Sequence, residues 1–549
     1  MNFTSVIYAL ARADFLERVR RYSFFLTMLF ALFLGYGAAT GRISIRMGGD
    51  FRGVYTSAWI GALVALVTTA FVSLIGFYIV KGSVDRDRQT GVGQILAATP
   101  LSRPAYALGK FLSNLGVLTS VVAVLAMCAL VMQVFTSEEA HFDSVALLAP
   151  FVLVAFPTMA LTSALAVLFE MLPLLNGGVG NILWFFVWSM GGLGLAEISG
   201  HPRLDPMGFM LVAKSMEAAA AKIIPGYKGG FALNIAPGHP TVLDSLRWHG
   251  VAWTPEIIGL RVAWFGAAFA IALLAALFFD RFDPAKSQWN WWRRRNIVAQ
   301  YAVANGSAAI GIAPAEEAFF GTGANDLAVA DAQSRTPHLT ALTGAARRKG
   351  FGRLFIAELR LAVQGRRWWW YAVALGLLVA QFATPLEAAR GPLLGSAWLW
   401  CVLIWSAMGS RELRCGTRGL LFSCSGILHR QVPACYLAGV AIAVLSGAGI
   451  AVRLLHGGDT AGLLGFLAGV FFLPALALAL GTVSGTGKAF EAILTALWYI
   501  GPINHARGFD FTGAANGAAT LRYAGVYVAL TAALLTAAFV ARSRQLRNN

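Results

Sequence analysis

Residues 56–80 read TSAWIGALVALVTTAFVSLIGFYIV, twenty-five positions without a single charge. The next eleven, 81–91, read KGSVDRDRQTG and carry five. An apolar run of that length covers the roughly 30 Å of a bilayer's hydrocarbon as one helix, which satisfies its own backbone polar groups. An abrupt switch to dense mixed charge marks where such a helix leaves the membrane. The whole chain has this character. Of 549 residues, 58% are apolar and 13% charged, against about 25% charged in soluble domains. A soluble enzyme or a disordered chain is excluded. The fold class is an all-α polytopic membrane protein.

Counting runs of about twenty mainly apolar residues predicts six spans in the first half, near 22–40, 56–80, 108–135, 145–170, 178–197 and 258–279. Six more fall near 368–386, 392–409, 432–454, 461–483, 489–503 and 520–541, the fifth of them short. Residues 1–21 are no signal peptide, because Asp14 and Glu17 sit where a basic region belongs and the following run is long enough to span. Phe3, Val6, Ile7 and Leu10 instead predict an amphipathic interfacial helix. The chain divides into that helix (1–21), a first six-span half (22–280, with an outer segment at 198–257), a linker (281–350), a second interfacial helix (351–367) and a second six-span half (368–549). The linker holds Trp289, Trp291 and Trp292 beside Arg293, Arg294 and Arg295, a headgroup-level anchor, and then turns Ala/Gly-rich and flexible.

The net charge of +17 sets orientation, not nucleic-acid binding. With a cytoplasmic N-terminus, about 30 Lys and Arg fall inside and about 13 outside, which predicts both termini in the cytoplasm and an even number of spans. The halves echo one another. Arg18-Val-Arg-Arg21 and Gln364-Gly-Arg-Arg367 each lead into a span; Asp85–Gly91 and Ser410–Gly416 each follow a second span; Leu101-Ser-Arg103 with Tyr106 matches Leu428-His-Arg430 with Tyr436; Pro157 and Pro474 recur in fourth spans. Six spans per copy is even, so the copies run parallel.

Catalytic and metal motifs are missing. Gly481–Ala489 mimics a phosphate-binding loop, but Thr482 replaces its opening glycine and Ala489 the magnesium-binding hydroxyl. There is no HExxH, the outer His201, His239 and His249 lack ligand spacing, and GxSxG is absent. The five cysteines form no CxxC and read as small apolar residues. Ionisable residues at membrane depth are few, with Glu170, Lys110, Arg261, Asp280, Arg453 and His456 at span edges, which counts against an ion-coupled carrier. What remains is the charged segment after each second span. Mixed charge followed by exposed apolar Ile95-Leu96 suits docking into a groove on a soluble partner.

The interfacial helix, Asp85-Arg-Asp-Arg-Gln-Thr-Gly91, Leu96-Ala-Ala-Thr-Pro100-Leu-Ser-Arg103, Tyr106-Ala-Leu-Gly-Lys110 and the six-span plan with an outer segment between spans five and six resemble the ABC-2 type permease family, the membrane subunits of ATP-binding-cassette exporters. That resemblance implies that Phe3 to Arg21 is a connecting helix. It makes Asp85, Arg86, Asp87, Arg88 and Gly91 a coupling segment against a separate ATPase subunit, with Pro100, Ser102 and Arg103 shaping the return to the membrane. Arg411, Glu412, Arg414 and Gly416 keep the polar core of a second coupling segment, although Val440 aligns with Lys110 and no proline matches Pro100. The implied partners are two copies of the ATPase subunit, which use ATP and magnesium; this chain binds no cofactor. The implied activity is export of a hydrophobic or amphipathic substrate from a bacterial inner membrane. The rival readings are an ion-coupled secondary transporter and a non-transporting scaffold or intramembrane enzyme.

Overall fold

The computed structural model describes residues 3–48, 51–139, 141–173, 175–194, 205–224, 227, 229–235, 244–282, 350–366, 368–415, 417–422, 426–503, 508–513 and 521–547. The linker's Trp/Arg cluster, His201, His239 and Gly416 lie outside them, as do the side chains of Gln89 and Arg414.

The protein is a mostly helical membrane protein. Seven helices among the described residues are long and apolar enough to cross a bilayer: Ser57–Arg88, Arg103–Thr136, Ser144–Met171, Pro255–Leu277, Ile427–Ser446, Thr460–Ser484 and Tyr523–Arg547. Thr27–Ala39 and Trp368–Ala383 are apolar but shorter. Burial separates their roles. The most apolar window of Ser57–Arg88 is 83% buried inside the protein, whereas those of Pro255–Leu277 and Tyr523–Arg547 are only 17% buried. Side chains that apolar and that uncovered require lipid as their solvent.

The first half runs α1 (Phe3–Val19), α2 (Tyr22–Ala39), β1 (Ile43–Met47), β2 (Phe51–Gly53), α3 (Ser57–Val67), a π turn, α4 (Ser73–Val80), α5 (Ser83–Gln89), α6 (Val92–Ala98), α7 (Arg103–Thr136), α8 (Ser144–Pro150), a second π turn, α9 (Phe156–Met171), α10 (Gly178–Phe186), α11 (Phe209–Ile223), β3 (Phe231–Ile235), β4 (Asp244–Leu246) and α12 (Pro255–Leu277). The second half runs α13 (Gly350–Val363), α14 (Trp368–Ala383), α15 (Leu394–Trp400), α16 (Ile427–Ser446), α17 (Thr460–Ser484), α18 (Lys488–Trp498) and α19 (Leu521–Arg547), with short helical turns between.

Local chemistry explains where these helices begin. Thr56, Ser102 and Thr254 each accept a hydrogen bond from the backbone N–H three residues on, at Trp59, Ala105 and Ile257. Asp143 and Asp459 cap α8 and α17 in the same way. Prolines in the first turn of α7 and α12 sit where a missing N–H costs nothing. In each half the lead-in helix lies along a later span, α1 along α7 and α13 along α16.

The all-α expectation needs one addition. At the end of the bundle away from α1, β1 to β4 form a small sheet in the order β3-β1-β2-β4. β1 pairs antiparallel with β3, with Ile43 opposite Ile235, and β2 pairs parallel with β4. Three- and five-residue strands carry too little periodicity to be seen beside long apolar runs. Part of the segment 198–257 therefore folds back onto the loop between α2 and α3. Arg52 with Glu138, at 2.6 Å, and Arg247 with Glu139, also at 2.6 Å, tie that sheet to the turn after α7.

Candidate functional site

At the α1 end, the segment 81–103 that follows α4 is tied down on every side. Gly82 and Gly91 both adopt positive φ, +111° and +77°, which lets the chain leave α4, form α5 and turn into α6. Arg86 donates to Asp14 of α1 at 3.0 Å, and Arg18 binds the same carboxylate at 2.9 Å. Asp87 faces α7, where Lys110 lies 2.8 Å and the Tyr106 hydroxyl 2.7 Å from its carboxylate. Lys110 also reaches Asp14 at 3.0 Å. Glu170, at the end of α9, accepts from the backbone N–H groups of Ser83 and Val84 at 2.9 and 2.6 Å. Two exposed donors of a helix start are thus met by a carboxylate. Arg88 pairs with Asp280, beyond α12, at 2.8 Å, and Arg281 donates to the Thr99 carbonyl at 3.0 Å.

Electrostatics explain why so many charges can be buried there. Burial alone pushes the Asp14 carboxyl upward, but Arg18, Lys110 and Arg86 pull harder and hold it at about 2. The group is an ionised hub at neutral pH.

The coupling residues assigned from sequence therefore separate into two sets. Arg86 and Asp87 turn into the protein, and Arg88 is taken up by Asp280. Asp85 is half-buried and acts electrostatically on Lys81 and Lys488. Arg86 and Asp87 brace the segment from behind, while Arg88 keeps an exposed side chain beside its bond to Asp280. Ser102 caps α7. The surface left outward is α6 with the stretch after it: Val92 is 43% and Ile95 67% exposed, and Pro100 and Arg103 are exposed too. Gly93 faces inward, where a Cβ would meet the Phe282 ring at 2.7 Å.

The second half repeats the wiring with different atoms. Arg411 pairs with Glu358 of α13 at 2.9 Å, as Arg86 does with Asp14 of α1. Glu412 accepts from the Gln431 amide at 2.7 Å; Asp87 accepts from the Tyr106 hydroxyl, and both bonds span 19 residues. Gln431, not Tyr436, thus corresponds in contact to Tyr106, and Tyr436 donates to the Phe471 carbonyl instead. Four residues on, a helical turn, Cys435 occupies the place of Lys110, and Arg542 of α19 supplies the missing cation, 3.2 Å from Glu412. Leu413 points outward at 55% exposure.

A third cluster escaped the sequence reading. Lys81, Glu170 and Glu491 are buried, and Lys488 part-buried, where the halves meet. Lys81 donates to the Asn181 side chain at 2.5 Å and to the Leu175 carbonyl at 2.9 Å. The Asn181 amide donates to Glu491, and Lys488 donates to the Lys81 carbonyl. Tyr78 donates to the Asn181 backbone carbonyl at 2.8 Å. Towards the sheet, Phe185 and Trp188 pack against Trp498 and Tyr499. These charges sit at the ends of apolar runs and are folded inward. Among the described residues no group of three or more His, Cys, Asp or Glu side chains is placed to hold a metal. No protein-family model, curated protein or solved structure matches the chain.

Proposed function

We propose that the chain is the membrane-spanning permease component of an ABC transporter, with twelve crossings arranged as two parallel six-helix repeats and both termini in the cytoplasm of a bacterial inner membrane. A separate ATPase subunit, in two copies, docks beneath the segments that follow the second span of each half. Its use of ATP and magnesium drives export of a hydrophobic or amphipathic substrate.

The observation that carries this reading is the bracing of α5 and α6. One short segment is bonded to α1, α7, the end of α9 and the stretch beyond α12, while α6 turns Val92 and Ile95 outward. A push on that exposed face is delivered to four elements at once, which is what converting closure of a soluble motor into helix movement requires. The recurrence of a lead-in helix with a carboxylate, an arginine paired to it and a following buried acid in the second half supports the repeat. The decisive experiment is purification from native membranes in mild detergent, with a photo-crosslinker at Ile95. Capture of a subunit with a phosphate-binding loop supports the reading, and transport by the chain alone in proteoliposomes without nucleotide overturns it.

The clustered Lys81, Glu170, Lys488 and Glu491 favour a second reading, an ion-coupled carrier, because ionisable groups inside a bundle mark proton and ion routes. That reading requires uptake or efflux in proteoliposomes driven by a pH or sodium gradient with no partner present.

A further inference from the structure

The groups between the halves form a closed circuit. Lys488 begins α18 in the second half and donates to the Lys81 carbonyl in the first. That carbonyl is reachable because the chain turns at Gly82: a Cβ there would lie 1.8 Å from the Lys488 ammonium. Lys81 in turn donates to Asn181 of α10. Asn181 then donates back across the interface to Glu491, one turn along α18 from Lys488. Helix α18 closes the ring. The Gly82 turn that admits Lys488 is also the joint from which α5 departs, its first N–H groups held by Glu170.

We propose that this circuit is a conformational latch: the halves part at the α1 end only when Lys488 leaves the Gly82 turn and Asn181 leaves Glu491, and movement of α5 is transmitted to the second half through that turn. Polar contacts inside an apolar, water-poor bundle have two settings, satisfied or broken, so they act as a switch and not as a spring. The latch stands whatever drives the halves, since it rests on contacts within one chain.

The test is hydrogen exchange read by mass spectrometry on the full chain in nanodiscs, without nucleotide or partner. Lys488→Met removes the donor at nearly constant length, and Asn181→Leu breaks a different link. Each is expected to raise exchange at least tenfold in Ser83–Gln89, Gly178–Phe186 and Lys488–Trp498, with α7 at its wild-type rate. Exchange that rises only around the substituted residue, or a folded variant with no rise in the other half, overturns the latch. Lys222→Met, at an exposed position of α11, is the control and should change none of the three segments. If Lys488→Met does not fold, Asn181→Leu alone still decides, because its readout in the other half is Lys488–Trp498. Loss of the proposed ATPase partnership would leave this result untouched.

Discussion

The Lys110 ammonium lies 3.0 Å from the Asp14 carboxylate and 2.8 Å from that of Asp87. One buried cation thereby joins the helix that leads into the membrane to the segment that leaves it after α4. Neither acid is within ten residues of Lys110 in sequence, so only the packing of α1 along α7 brings the three together.

Lys110→Met should strand two buried carboxylates whose remaining cations among the described residues are the arginines around Asp14. Breaking a buried pair on one side typically costs about 3–5 kcal/mol. Detergent-solubilised protein should show that loss in its denaturation midpoint. Asp14→Asn combined with Lys110→Met should cost less than the sum of the two single changes, the mark of a direct interaction.

Acid should loosen the same hub. The Asp14 carboxyl titrates at about 2 when folded, against an ordinary value of 3.8. Its folded pKa is depressed, so the stability it contributes, about 2 kcal/mol, is fully present above about pH 5 and disappears as pH falls from 4 towards 2. Unfolding midpoints at pH 6 and pH 3 should differ less in Asp14→Asn than in the wild type.

Surface and support within the proposed coupling segment should separate cleanly. Ile95→Asp alters an outward side chain, and such changes stay within about 0.5 kcal/mol of wild-type stability. It should leave the melting temperature alone and abolish stimulated ATP hydrolysis in the assembled complex. Asp87→Arg places a third cation beside Lys110 and should lower expression and stability before any transport assay can be read. Equal loss of stability in the two variants would remove the distinction between face and brace.

Cys435 and Arg542 offer a swap. Arg542→Ala should destabilise the second half by leaving Glu412 with only the Gln431 amide. Adding Cys435→Lys restores a cation at the position that Lys110 occupies in the first half. Partial recovery of the denaturation midpoint in the double variant is expected, and an additive loss would show that the two halves are not wired alike.

The apolar runs were legible without any structure, because crossing hydrocarbon demands about twenty uncharged residues and backbone bonds closed within one helix. The apolar runs placed two spans near 108 and 258, whereas the helices start earlier, at Ser102 and Thr254, each a capping hydroxyl followed closely by proline. Position along the chain placed Asp85 to Arg88 at a membrane boundary; their direction was hidden. Four consecutive residues of a short helix point four ways, and whether Asp87 meets solvent or Lys110 depends on a helix that starts sixteen positions later.

Tertiary structure alone decided the rest. A sheet of three- and five-residue strands draws its pairing from segments almost 190 positions apart. The circuit through Lys81, Asn181, Lys488 and Glu491 joins residues separated by 310 and 407 positions. A lysine at the end of an apolar run reads the same whether it reaches for headgroups or for a carbonyl in the other half. Composition and periodicity register what a residue must avoid, which is enough to determine that this chain crosses a membrane. Which charges meet inside it is settled by the packing of helices distant in sequence, because a buried charge persists only where folding supplies its counterpart.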